Sequence, residues 1–239
     1  MLNRPEVHNR IESEDLDALD TIFSQVEKNA EVRVLVLAAG GPTFSSGYHL
    51  GALDTARQSG DSVPLRFERV ANRLEALPVP TICALQGSVF GGAADLALAC
   101  DFRIGVPDME LAIPAARLGI HFYRSGIERL VTRIGAAAAK RILLTAERIG
   151  AGELMRMGYL DEIVPGVQLP ERVSQLADRL ASQAPLPVRG MKAAINALAR
   201  GSEDSAAIES TIARCLESED HAEGLRAYRE KRSPRFSGR

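Results

Sequence analysis

The chain has 239 residues, of which 46% are hydrophobic and 25% charged, with a formal net charge of −2. That size and balance suit one large globular domain, or a domain with an appendage, and the lack of any basic block argues against a nucleic-acid or acidic-membrane surface. Cys83, Cys100 and Cys215 are odd in number and far apart, without disulfide or zinc spacing, as expected of thiols in a reducing compartment. Met1-Leu-Asn-Arg-Pro5 is no signal-peptide core, and no apolar run reaches the length of a membrane span, so a cytoplasmic location is expected.

From the N-terminus, Asn3 to Asn9 reads as extended or turn-like around Pro5. Ser13 is placed to cap a helix whose Leu16, Leu19, Phe23 and Val26 share one side, with Glu14, Asp15 and Asp17 in its first turn. A strand is predicted over 32–38, closed by Gly40-Gly-Pro42, followed by the loop Thr43-Phe-Ser-Ser-Gly-Tyr-His-Leu50. The only linker-like patch nearby, 58–62, is too short for a domain boundary. An amphipathic helix over 65–77 is stopped by Pro78 and Pro80.

Val79 to Leu85 reads as a buried strand, and Gly87-Ser-Val-Phe-Gly-Gly92 as a glycine-rich turn. The Ala- and Leu-rich run that follows favours helix. At such a helix mouth the backbone N–H groups lack intrahelical partners, the dipole is positive, and glycine allows another molecule close approach. Asp95 lies about one turn further in, among apolar neighbours. N–H donors beside an acid suit an enzyme that stabilises a developing oxyanion, although a helix packed tightly on a strand would account for the glycines equally well.

Further on, strands are predicted over 101–106 and 159–165, with irregular chain over 110–119 and helices over 125–134 and 136–146 broken at Gly135. A short helix over 152–157 precedes the last strand, and four helices (170–183, 187–199, 203–217, 219–231) complete the chain. Alternating strands and helices followed by helices alone predict an α/β core over 1–168 and a C-terminal helical region over 169–239. There is no G-x-S-x-G elbow, P-loop or G-x-G-x-x-G fingerprint. His8, His49, His121 and His221 have no ligand spacing, so no metal is expected. Ser46, His49 and Asp54 lie too close in sequence for a typical nucleophilic triad.

Several segments, in order, resemble the crotonase (enoyl-CoA hydratase/isomerase) superfamily. Asn3-Arg-Pro-Glu-Val-His-Asn9 resembles its opening motif, Phe44-Ser-Ser-Gly-Tyr-His-Leu50 its F-x-x-G-x-D-L loop, and Gly87 to Asp101 its G-x-x-x-G-G-G-x-E-L-A-L-A-C-D signature. Leu143-Leu-Thr145, Ser218 to Gly224 and Glu230 to Phe236 resemble later family segments. The resemblance implies an α/β, crotonase-like spiral of ββα units with a C-terminal α-helical trimerisation region, forming homotrimers or hexamers. It implies an acyl-CoA thioester as substrate, with coenzyme A as part of that substrate and no separate cofactor. By motif position the backbone N–H groups of Tyr48 and Gly92 would hold the thioester oxygen. Asp95 would be the acid/base, and Val7, Ser46, His49, Leu50 and Gly91 would line the coenzyme A path.

The departures from the family pattern shape the expected chemistry. Hydratases of the family carry two glutamates, but here the positions hold Asp95 and Ala115, and an alanine transfers no proton. The third glycine of the signature is Ala93, and the aspartate of the loop is His49. Phe122-Tyr-Arg-Ser-Gly126 replaces a P-G-x-G-G segment, placing His121, Tyr123 and Arg124 near the expected acyl group. Isomerisation through an enolate, with Asp95 as sole acid, is therefore easier to credit than hydration. The alternatives are thioester hydrolysis or decarboxylation using His121, and a non-catalytic acyl-CoA binder. The family's usual first β-hairpin has no counterpart before the opening motif, so either upstream sequence or another segment is expected to cover the exposed sheet edge.

Overall fold

The computed structural model describes residues 1–49, 51 and 63–239; Leu50, Asp54 and the patch 58–62 fall outside the described residues. The helix α1 (Ser13–Lys28) buries Leu16, Leu19, Phe23 and Val26, as their spacing requires. Its N-cap is Glu12 rather than Ser13. The Glu12 N–H donates to Asp15 Oδ2 at 2.7 Å, while the Ser13 hydroxyl turns to Tyr48 Oη at 2.9 Å.

The strands follow in pairs: β1 (Leu35–Leu37) and β2 (Thr43–Ser45), β3 (Thr81–Leu85) and β4 (Ser88–Phe90), β5 (Phe102–Gly105) and β6 (Glu110–Ala112). The first member of each pair enters one sheet and the second enters another. With β7 (Ile149–Gly150) and β8 (Glu162–Ile163), the sheets have orders β1-β3-β5-β8 and β2-β4-β6-β7. Every pairing is parallel except β6 with β7. Parallel neighbours need long crossovers. These are supplied by helices α2 (Val63–Ala76), α3 (Gly92–Ala99) and α4 (Arg124–Lys140), so the chain advances as a spiral of strand–strand–helix turns.

The glycine-rich turn and the irregular stretch of the sequence reading are therefore β4 and β6, and the loop after Gly40 begins with β2. Each has three residues, too few to show an alternating pattern. At Gly135, where φ is +81° and ψ 158°, the backbone leaves the helical region, so α4 is two helical pieces meeting at a kink, as the sequence predicts; a wide turn over Arg141–Thr145 ends it.

The core is densest around β3, buried along its whole length, and α3, in which every residue from Ala93 to Ala99 is buried. A helix buried on all sides must be central. Around it lie α5 (Ala151–Arg156), α6 (Leu169–Ala181), α7 (Pro185–Ala199), α8 (Ser205–Leu216) and α9 (Glu219–Glu230). Helix α6 inserts Leu169 and Val173 into the core against β3 and β5. Helices α7 to α9 contribute less to it and leave Met191, Ile195, Leu198, Ile212, Leu216 and Leu225 exposed. Next to β1, Leu2 forms a parallel bridge to Ala39: its N–H donates to Ala38 O at 2.8 Å, and its carbonyl accepts from Gly40 at 2.9 Å. No helix among the described residues is long and apolar enough to cross a membrane.

Candidate active site

The loop after β2 is fastened to the opening segment by backbone hydrogen bonds. Ser46 N donates to His8 O at 2.9 Å, Ile11 N to Gly47 O at 2.9 Å, and His49 N to Ile11 O at 3.0 Å. Asn9, buried, adds side-chain bonds to Gly40 O at 2.7 Å and Thr43 O at 2.8 Å. Because Ile11 engages both flanking residues in a parallel bridge, the N–H of Tyr48 points to the other side of the strand, where no acceptor meets it among the described residues. Gly47 makes the loop possible. Its φ is +89°, and a Cβ there would lie 2.7 Å from the Phe90 carbonyl oxygen.

Across the cavity, Gly91 N donates to Ala112 O at 2.9 Å and caps α3, so the Gly92 N–H opens the helix without an intrahelical acceptor. A Cβ on Gly92 would stand 2.9 Å from the Phe67 ring, so glycine lets that ring close over the helix mouth. Tyr48 and Gly92 line the same cavity, whose described walls enclose about 160 Å³. Ser46, Phe67, Phe90 and Gly91 complete that side. Ile113, Pro114, Ala115, Leu118 and Ile120 form an apolar wall, and His121, Phe122 and Tyr123 close the far end.

The far end is aromatic and rigidly held. Phe122 and Tyr123 stack with ring centroids 4.5 Å apart, and Phe67 lies 6.3 Å from Tyr123 and 6.2 Å from Tyr48. Tyr123 is the N-cap residue of α4. Glu68 of α2 locks that helix start by accepting from Ser125 N at 3.0 Å and Ser125 Oγ at 2.7 Å, where the dipole favours a carboxylate.

Behind Tyr123 lies Asp95, fully buried and not on the cavity wall. The expectation of apolar neighbours is corrected here: Asp95 Oδ2 accepts from Tyr123 Oη at 2.6 Å and from Arg129 Nη2 at 3.2 Å, and Oδ1 accepts from Arg129 Nε at 2.9 Å. Arg129 also donates to Glu75 Oε2 at 2.5 Å and Asn72 Oδ1 at 3.1 Å. Glu75 in turn binds Arg133 at 3.1 Å and Arg200, the residue that caps the C-terminus of α7. Buried charges persist only when paired and hydrogen-bonded, and here two carboxylates are shared among three guanidinium groups.

Burial, followed by the charge and hydrogen bond of Asp95, pushes the Tyr123 phenol well above its usual pKa. Burial works against the Arg129 charge, but Asp95 outweighs it and the guanidinium holds its proton more tightly than usual. Burial, together with the like charge of Arg103, brings Arg133 down to about 10.

Of the other sequence-derived candidates, His121 is exposed at the cavity edge with Nδ1 2.7 Å from Phe122 O. His49 pairs with Glu12 Oε2 at 2.8 Å and Val7 sits in the short turn Pro5–Val7; neither is on the described cavity wall. Burial opposes ionisation of Glu12, yet bonds from Arg10 and His49 prevail and hold its carboxyl below the usual range. Leu50 lies outside the described residues. Among these residues, no cluster of His, Cys, Asp and Glu is suited to a metal ion.

The sequence reading missed Arg129 and Glu75, and treated Tyr123 only as a neighbour of the acyl group. One signal was available. Gly126, Arg129, Leu130 and Arg133 fall at i, i+3, i+4 and i+7 of α4, so the arginines occupy an otherwise buried face.

Comparison with known proteins agrees with this architecture. The sequence model of the family described as enoyl-CoA hydratase/isomerase matches residues 1–239. A short-chain-enoyl-CoA hydratase of Clostridium acetobutylicum is 31% identical over 235 residues, 97% of this chain and 90% of that protein. The 1.8 Å crystal structure of an enoyl-CoA hydratase from Bacillus anthracis superposes with a TM-score of 0.89 at 30% identity, covering 100% of this chain and 94% of that one. An enoyl-CoA hydratase/carnithine racemase from Magnetospirillum magneticum gives a TM-score of 0.94 at 28% identity, covering 100% and 91%.

Proposed function

The chain belongs to the enoyl-CoA hydratase/isomerase family and is an enzyme of that type, with the crotonase fold; from that premise we propose that it shifts the double bond of a short acyl-CoA thioester through an enolate. What supports this reading is that Tyr48 and Gly92 line one apolar cavity and that neither backbone N–H has an acceptor among the described residues. Removing a proton beside a thioester carbonyl places negative charge on its oxygen. Fixed donors stabilise that charge without having to reorganise.

Two features favour isomerisation over hydration. Ala115 presents a methyl group to the cavity where a second acid would be needed to activate water. Among the described residues, the buried Asp95 is the carboxylate coupled to the cavity, through its bond to Tyr123. A cavity of about 160 Å³ suits a short acyl chain, since a dry pocket of about 150 Å³ accommodates a molecule the size of benzene. The coenzyme A portion would leave past Ser46 toward the Val7, His49 and Leu50 side.

A second reading, thioester hydrolysis or decarboxylation with His121, draws support from that ring's place on the cavity wall. The free thiols Cys83, Cys100 and Cys215 fit a reducing, cytoplasmic setting. The exposed apolar residues of α7 to α9 fit assembly into a homotrimer or hexamer, with 169–239 as the assembling region and 1–168 as the core.

Incubation with a panel of short α,β- and β,γ-unsaturated acyl-CoA thioesters, with products identified by mass spectrometry, tests the proposal. Positional isomers at unchanged mass are expected. Free coenzyme A would favour the His121 reading, a gain of water would restore hydration, and binding without product from any thioester would defeat enolate chemistry.

A further inference from the structure

Among the described residues, the polar side chains on the cavity wall are Ser46, Tyr48, His121 and Tyr123. The Tyr48 hydroxyl is engaged with Ser13 Oγ at 2.9 Å, and Ser46 and His121 are exposed. Among the described residues, only Tyr123 combines a place on the wall with a direct bond to the buried carboxylate, 2.6 Å from Oη to Asp95 Oδ2. Asp95 has no exposed surface and is not on the cavity wall, but it binds a residue that is.

We infer that Tyr123 is the catalytic residue that exchanges a proton with the acyl chain, and that Asp95, without touching substrate, receives and returns that proton through the Tyr123 hydroxyl. The inference rests on the isomerase reading and gives it a chemical route. In the first step the C–H bond next to the thioester carbonyl breaks, and its proton bonds to Tyr123 Oη as the phenolic proton passes to Asp95 Oδ2. The electron pair left on carbon delocalises onto the thioester oxygen between the Tyr48 and Gly92 N–H groups. In the second step Asp95 returns its proton to the Tyr123 oxygen, whose own proton goes to the γ-carbon while the electron pair re-forms a double bond at the α,β position. No atom is gained or lost, and no oxidant or water is consumed.

The surroundings suit this relay. Arg129 grips both oxygens of Asp95, so the carboxylate has a fixed orientation and a compensating charge when ionised. The stacked ring of Phe122 and the lock of Glu68 on Ser125 hold the Tyr123 hydroxyl in place. A high-pKa phenol remains protonated between turnovers, which a relay requires because the proton it passes on must already be there.

The test uses the full chain and two probes: 3-butenoyl-CoA for isomerisation, and butyryl-CoA in D₂O for α-proton exchange followed by mass spectrometry. Tyr123→Phe keeps the ring and its stacking and removes only the hydroxyl. It is expected to lower kcat and exchange by about 10²–10⁴-fold while butyryl-CoA affinity changes only a few-fold. Asp95→Asn is expected to lose a similar factor, and the double variant no more than Tyr123→Phe alone, because the two groups act as one unit. A loss confined to turnover at constant affinity is not what a purely structural role would produce. Should Asp95→Asn fail to fold, Tyr123→Phe decides the matter alone. Full exchange by Tyr123→Phe, or losses that multiply in the double variant, would overturn the relay while leaving the isomerase reading intact. A wild-type protein that neither isomerises nor exchanges either probe would overturn both.

Discussion

Tyr123 and Tyr159 show how burial changes a residue's chemistry. Burial pushes both phenols well above the usual tyrosine range, reinforced by Asp95 at Tyr123 and by nearby thiols at Tyr159, whose hydroxyl donates to Ala94 O at 2.7 Å. In the unfolded chain each would ionise near pH 10. Because the folded values are raised, the stability these groups contribute is fully present below about pH 10 and is lost as the pH rises through the folded values. Tyr123→Phe should therefore leave the native tyrosinate absorbance unchanged up to about pH 10.5. A fall in that absorbance relative to wild type would show that Tyr123 ionises in the folded protein. The same variant should lose part of the wild-type decline in stability above pH 10, measured by urea unfolding across that range.

At the scale of elements, the buried ionic cluster joins four helices that share little sequence proximity. Asp95 comes from α3, Glu75 from α2, Arg129 and Arg133 from α4, and Arg200 from the end of α7. These links set the approach of α4 to α3, and through Tyr123 they set the end wall of the cavity. Removing one partner of a buried pair costs more than the pair contributes, because the remaining charge stays dehydrated. Arg129→Leu should destabilise the fold by about 3–5 kcal/mol in urea unfolding. A loss well below 1 kcal/mol would mean that Asp95 and Glu75 find other partners or water. The exposed trio Arg141, Glu147 and Glu153 is a useful contrast, since solvent screens such pairs and Arg141→Ala should scarcely move the midpoint.

At the scale of the molecule, the apolar surface is unevenly placed. Helices α7 and α8 expose Met191, Ile195 and Leu198, and Ile212 and Leu216, and α9 adds Leu225 and Tyr228. With Phe236 these helices also border an apolar groove of about 530 Å³. Contiguous exposed apolar surface is a hallmark of an interaction face. Sedimentation at micromolar concentration is expected to show a trimer or a hexamer, and Ile195→Glu together with Ile212→Glu should shift it toward smaller species. A wild-type monomer at that concentration would contradict the proposed assembly.

The sequence by itself determined the elements long enough to show a period and the motifs carried by contiguous residues. The buried face of α1, the Ala- and Leu-rich α3, the glycines that shape the helix mouth and the order of the family segments were legible because each is local. What escaped was built from pieces too short or too distant. The sheet β2-β4-β6-β7 consists of strands of two or three residues, and each gains its hydrogen bonds only from partners tens of residues away. The surroundings of Asp95 escaped for the same reason, since Arg129 lies 34 positions along the chain and Tyr123 lies 28. A carboxylate flanked in sequence by alanine and leucine appears isolated and apolar; only the packing of α4 on α3 brings it a counter-charge and a hydroxyl. Tertiary structure thus decided which residues line the cavity and which partners Asp95 has, because contact depends on separation in space over a few ångströms, which neighbours in sequence do not specify.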